Sequence, residues 1–192
     1  MEYSEATRSR WVKGFEKVEY FEYPFCLMLN RLAPIGLVRY PFTLISRLGD
    51  GNVWVVLGLM LPLFHGADGW NALLMQILAA VIGGVFYRLV KERFRRERPA
   101  VRYDAIGFTT PPLDRFSFPS GHTLHAVCFY TVISGLLPVW GAPLLPLVCA
   151  IALSRVVLGL HFPSDVAVGG FFGWIIGSSV VTGYQYWLTL PL

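Results

Sequence analysis

Charge is scarce in this chain. Asp, Glu, Lys and Arg make up 15% of 192 residues, against about a quarter in an ordinary soluble domain. That is too little to solvate a globular surface of this size. Cysteine is scarcer still. Cys26, Cys128 and Cys149 are odd in number, far apart and set in apolar stretches. They exclude a disulfide framework and a cysteine zinc site, and read as small core residues. Internal repeats and low-complexity tracts are absent, which removes solenoids and disordered tails. No cleavable leader is expected, because the polar start, Met1 to Lys17, leads into no clean apolar segment with a small-residue cleavage site. Basic residues almost vanish late in the chain: after Arg115 there is only Arg155.

Apolar sequence fills the space these absences leave. Mean hydropathy is +0.54, and runs near the roughly 20 residues needed to cross a bilayer recur. The expected fold is all-α: a polytopic transmembrane bundle of about six spans, forming one integral membrane domain over 1–192. Residues 1–20, with Arg8, Arg10, Trp11, Lys13 and Lys17, read as an interfacial helix. Residues 21–47 are apolar but broken by Asn30, Arg31, Pro34, Arg39 and Pro41. They form either a kinked first span or two interfacial helices, and the span is the expectation. A bundle over 52–192 follows. Its spans are Asn52–Phe64, Trp70–Val90, about Gly121–Pro138, about Pro143–Leu160 and about Val166–Trp187. His65–Gly69 makes a tight connection between the first two. Gly169, Gly173 and Gly177, four residues apart, let another helix come close to the last.

Half of the Lys and Arg residues lie between Arg88 and Arg115. So local a cluster fits an anionic ligand or a positive-inside loop. Three short patterns at span ends favour the ligand. Lys91 and Arg98, followed by Pro99, would share a helix face if the helix runs on, with Arg95 beside them. Two cations on one face can grip a phosphate, Arg by a fork and Lys as a point charge. Arg93 and Arg96 read as solvated residues of a basic helix end. Pro119-Ser120-Gly121-His122 opens the fourth span. Ser120 is a good N-cap, the helix start binds anions, Gly121 admits a phosphate near the backbone, and His122 can protonate a departing oxygen. In the third pattern, Ser154-Arg155 precedes His161 and Asp165. A charge in an apolar run needs a partner or a job. Asp165 can orient His161 as a nucleophile in the manner of a catalytic triad. A plain Arg155–Asp165 pair between helices is the alternative. The layout puts all three patterns on one side of the membrane.

These eleven residues, in order, resemble the signature of the type 2 phosphatidic acid phosphatase superfamily. The likeness covers roughly residues 70–190, with no motif position departing from the pattern. That family includes membrane lipid phosphatases, similar at the active site to vanadium haloperoxidases and glucose-6-phosphatase. The resemblance implies that His161 attacks phosphorus to form a phosphohistidine and that Asp165 orients it. His122 protonates the leaving oxygen and then activates water. Lys91, Arg98, Ser120, the Gly121 amide and Arg155 hold the phosphate oxygens. No metal or other cofactor is implied. The expected substrate is a lipid phosphomonoester or diphosphate: undecaprenyl diphosphate, phosphatidylglycerol phosphate, phosphatidic acid or a lipid A phosphate. Transfer of the phosphoryl group to a lipid hydroxyl is the alternative. A non-catalytic phospholipid transporter fits less well, since binding alone needs no nucleophile. The resemblance also implies a bacterial inner membrane and a site facing outward, against the positive-inside count. Six spans would then leave both termini in the cytoplasm, and if 21–47 does not cross, the N-terminus changes side. His125 stands open between a supporting role and plain packing. Asp104, Asp114 and Arg115 either shape headgroup access or are solvated loop. Ser46-Arg47 imitates the third pattern without its histidine and is set aside. His65 has no evident partner.

Overall fold

The computed structural model describes residues 5–108 and 115–190, with side chains from residue 14. Asp114 and the side chains of Arg8, Arg10, Trp11 and Lys13 lie outside the described residues. The described chain is helical, in the order α1 (Glu5–Asn30), α2 (Gly36–Leu48), α3 (Asn52–Phe94), the single turn α4 (Pro99–Arg102), α5 (Gly121–Leu136), α6 (Gly141–Val157) and α7 (Pro163–Leu188). Three stretches are long and apolar enough to cross a membrane: Asn52–Arg102, Pro138–Val157 and Pro163–Leu188.

The first of these is bent double. Gly66 sits at φ 54°, ψ −125°, a conformation that costs glycine little. The tight connection expected at His65–Gly69 is this bend. The arms before and after it then meet backbone to backbone. A Cβ on Gly69 would stand 2.2 Å from the Leu61 carbonyl oxygen. Further along, buried Gln76 donates to the Trp54 carbonyl at 2.9 Å. The two arms of α3, with α5, α6 and α7, make five rods.

Two helices account for the rest. Residues 21–47 divide between α1 and α2, and neither is among the described stretches long and apolar enough to cross a membrane. Phe15 of α1 packs on Phe94 and Phe118, Glu19 and Glu22 bind Arg96, and Asn30 donates to the carbonyls of Val157 and Gly107. Those partners all lie at the end of the bundle where α3 and α6 finish. Fifteen helical residues cover about 22 Å, so α1 lies across that end. The last turn of α2 returns to it, where Arg155 donates to Ser46 Oγ. Both helices reverse the usual amphipathic order. Glu19, Cys26, Asn30 and Ser46 are buried, while Tyr20, Phe21, Met28, Leu37 and Tyr40 are exposed. Polar atoms facing protein and apolar ones facing outward suit a helix embedded in the membrane interface.

The rods are held by close glycine contacts. Cβ atoms on Gly169, Gly173 and Gly177 of α7 would lie 2.5, 2.3 and 2.8 Å from the carbonyl oxygens of Ser120, Leu124 and Cys128. The helix α7 therefore rests on the backbone of α5, as the four-residue spacing predicts. At the far end, Trp140 Nε1 donates to His65 Nε2 at 3.0 Å, which gives His65 its partner. Cys26 and Cys128 are buried; Cys149 is exposed, contrary to the reading of all three as core.

Candidate active site

His161 occupies the turn between α6 and α7. The Arg155 carbonyl accepts the N–H groups of both Leu160 and His161, each at 3.0 Å, and Gly159 turns the chain at φ 73°. The ring is 1% exposed. Arg98 Nη1 donates to the Leu160 carbonyl at 2.6 Å and stands 3.3 Å from His161 Nε2. Burial, and then the charges of Arg98, Arg155 and Lys91, push the His161 pKa well below its ordinary 6.5. The ring is therefore neutral at pH 7, with a lone pair available for attack.

Asp165 lies one turn on, in the first turn of α7. Its Oδ2 accepts the Phe162 N–H at 2.8 Å. That oxygen is 3.7 Å from His161 Nδ1, near enough for charge to act and too far for a hydrogen bond. His161 Nδ1 has no hydrogen-bond partner among the described residues. Asp165 pairs with Arg96 rather than Arg155.

The other groups arrive from three elements. Lys91 is in the last turn of α3, its ammonium 2.5 Å from the Tyr87 hydroxyl and 4.7 Å above that ring. The helix does not run on to Arg98. It ends at Phe94, with Arg95 left-handed at φ 44°, and Arg98 caps the single turn α4 in extended conformation. Lys91 and Arg98 thus reach the site from different directions instead of along one face. Ser120 takes the N-cap position of α5, but its hydroxyl is 3.0 Å from Thr123 Oγ1, and no side-chain capping bond forms. Gly121 packs so tightly that a Cβ would be 2.7 Å from the Tyr87 ring. His122 Nε2 meets Asp50 Oδ1 at 2.6 Å.

A cavity of about 560 Å³ joins these parts. Of the eight expected site residues, Arg98, Gly121, His122, Arg155 and His161 line it. Lys91, Ser120 and Asp165 are buried around them. From the catalytic end the cavity runs between the arms of α3, past Val55, Leu59, Leu73 and Ile77. His125 lies on its wall with Nδ1 2.9 Å from the Gly121 carbonyl, a packed and hydrogen-bonded histidine. Asp104 and Arg115 are exposed.

Three contributors escaped the sequence reading. Arg96 is 3% exposed, not solvated. Asp50 partners His122 from a turn 72 residues away. Ser46, set aside in the sequence, receives Arg155. No periodic or motif signal marks Arg96 or Asp50.

An apolar helical bundle with two histidines, a buried carboxylate and three cations gathered at one end has the groups that phosphoryl transfer in a membrane requires. Comparison with known proteins agrees. A model of the PAP2 superfamily matches residues 69–188, more than half of the chain, and the chain belongs to that superfamily. The lipid A 1-phosphatase of Rhizobium johnstonii is 28% identical over 167 residues, covering 73% of this chain and 68% of that protein. The decaprenylphosphoryl-5-phosphoribose phosphatase of Mycobacterium tuberculosis is 35% identical over 140 residues, 71% of this chain and 75% of its own. The crystal structure of Aquifex aeolicus LpxE superposes with a TM-score of 0.74 at 29% identity, covering 84% of this chain and 95% of that one. The protein is a bacterial membrane lipid phosphatase, a phosphoric ester hydrolase.

Proposed function

We propose that the chain hydrolyses a lipid phosphomonoester or diphosphate through a phosphohistidine on His161. The convergence of neutral, buried His161 with Arg98, Arg155 and His122 on one cavity carries this reading. Nε2 of His161 attacks phosphorus from the side where Arg98 stands. The P–O bond to the lipid breaks, and His122 gives its proton to the departing oxygen. Lys91, Arg98, Arg155 and the N–H groups at the start of α5 stabilise the charge gathering on the phosphoryl oxygens. Asp165 stabilises the charge that His161 acquires. His122 then takes a proton from water, which attacks the phosphohistidine and releases inorganic phosphate.

The apolar reach of the cavity between the α3 arms supports a lipid that keeps its tails in the bilayer and raises only its phosphate. Val55, Leu59 and Ile77 line the cavity and are exposed, which supports lateral access from the bilayer. On this reading the site faces outward. The basic residues of this end are engaged with carboxylates and the phosphate site, which weakens the positive-inside count as a guide. With five crossings, α1 then lies on the periplasmic face and the end of α7 in the cytoplasm. Membrane-impermeant thiol labelling of Asp104→Cys and Val139→Cys in intact cells tests this: the first is labelled, the second is not.

Activity is tested on a panel of phosphatidic acid, phosphatidylglycerol phosphate, undecaprenyl diphosphate and lipid A, with chelator present. Release of inorganic phosphate from at least one is expected. Transfer to an added lipid hydroxyl without release would mark a phosphotransferase. Binding without turnover would mark a transporter.

A further inference from the structure

Arg96 belongs to none of the three motifs, yet it is buried and engaged on every side. Its guanidinium lies between the rings of Phe15 and Phe162, 4.8 and 3.9 Å from their centroids. Nε donates to Glu19 at 3.1 Å and Nη2 to Glu22 at 2.9 Å. Nη1 donates to Asp165 Oδ1 at 2.6 Å and to Ser164 Oγ at 2.7 Å. Glu22 also accepts the backbone N–H of Ser164 at 2.5 Å and its hydroxyl at 2.9 Å.

We propose that Arg96, clamped by Glu19 and Glu22 of α1, is a positioning residue that presents the Asp165 carboxylate to His161 without capturing it. An arginine beside a carboxylate favours a two-pronged fork that takes both oxygens. Here Glu19 and Glu22 occupy the Nε and Nη2 sides. Only Nη1 reaches Asp165, and only at Oδ1. Oδ2 accepts the Phe162 N–H and faces His161 Nδ1 at 3.7 Å. The charge balance points the same way. One guanidinium is divided among three carboxylates, so Asp165 keeps negative charge to offer as His161 becomes cationic on taking phosphorus. Without the glutamates, Arg96 is free to fork onto Asp165 and neutralise it. The helix α1 precedes the family match, which begins at residue 69, and on this account it is still part of the catalytic apparatus.

The proposal rests on His161 as the nucleophile, and the test separates the two. The full chain is purified in detergent, and kinetics are measured with the best substrate of the panel alongside thermal unfolding. Glu19→Gln/Glu22→Gln is expected to lower kcat by about ten-fold or more. KM stays within about two-fold, because the phosphate cations are untouched. The loss is equal for alkyl and aryl phosphates, since attack and not departure is impaired. Arg96→Lys, which keeps the charge, retains more kcat than Arg96→Met. Should the double variant fail to fold, Glu22→Gln alone carries the same pattern at about three-fold. A folded glutamine variant with wild-type kcat, or with its loss confined to KM, overturns the proposal. If His161→Ala is dead while the glutamine variants are fully active, the positioning role alone falls. If His161→Ala is active, the nucleophile reading falls with it.

Discussion

His161 and His122 line one cavity, and each stands beside one carboxylate, yet their surroundings are opposites. The His161 side is dry and crowded. Asp165 is fully buried, and its partner Arg96 is enclosed by two rings, two glutamates and a serine. The His122 side is wetter. The Asp50 side chain is 37% exposed and holds its histidine by a single hydrogen bond from a short turn. The contrast follows the chemistry. A nucleophile must be aimed at phosphorus and must keep its lone pair, which favours burial and fixed neighbours. An acid that also activates water must exchange protons and needs access to solvent.

Breaking the nucleophile side should cost most. His161→Ala is expected to lower kcat by roughly three orders of magnitude or more, with the protein still folded in detergent; near-normal turnover of a folded variant would falsify the assignment. His122→Ala comes next, at about 10²–10⁴ for alkyl phosphates. The deficit should shrink for aryl phosphates, whose leaving groups need no proton; equal deficits for the two classes would remove His122 as the acid. Asp50→Asn touches only the half-exposed partner and should cost roughly ten-fold or less, again more on alkyl than on aryl substrates. A loss as large as that of His122→Ala would mean the two sides are not built differently. The smallest effect concerns pH. Because the His161 pKa is depressed, the ring is already neutral at and somewhat below pH 6.5. Protonation removes the nucleophile only as pH falls further. The acid limb of kcat/KM should therefore lie below the ordinary histidine range. A limb at or above 6.5 would show that another group controls it.

That the candidate site residues would gather was legible in the sequence because their types and spacings suit phosphoryl chemistry, and the rods were legible because apolar runs and Gly169, Gly173 and Gly177 announce them. What holds the catalytic residues was not. Arg96 reads as one more base in a basic stretch, since its carboxylates sit 69 to 77 residues away. The helix α1 has no clean apolar run, and its inward face is polar, so neither hydropathy nor ordinary amphipathicity shows where it rests. The break after Phe94 was hidden too, for Arg95 adopts a left-handed turn more usual for glycine.

The glycine ladder between α5 and α7 has a consequence for how such an enzyme diversifies. Because Gly169 and Gly173 rest on the carbonyls of Ser120 and Leu124, the distance from the phosphate-binding turn to the Asp165 turn is set by main chain against main chain. Substitutions elsewhere do not retune that spacing. The α3 hairpin touches the cavity through Val55, Leu59, Leu73 and Ile77, side chains that can change size without moving a backbone. Inheritance is thus divided between two structures: one guards the reaction, and the other is free to drift toward new lipids.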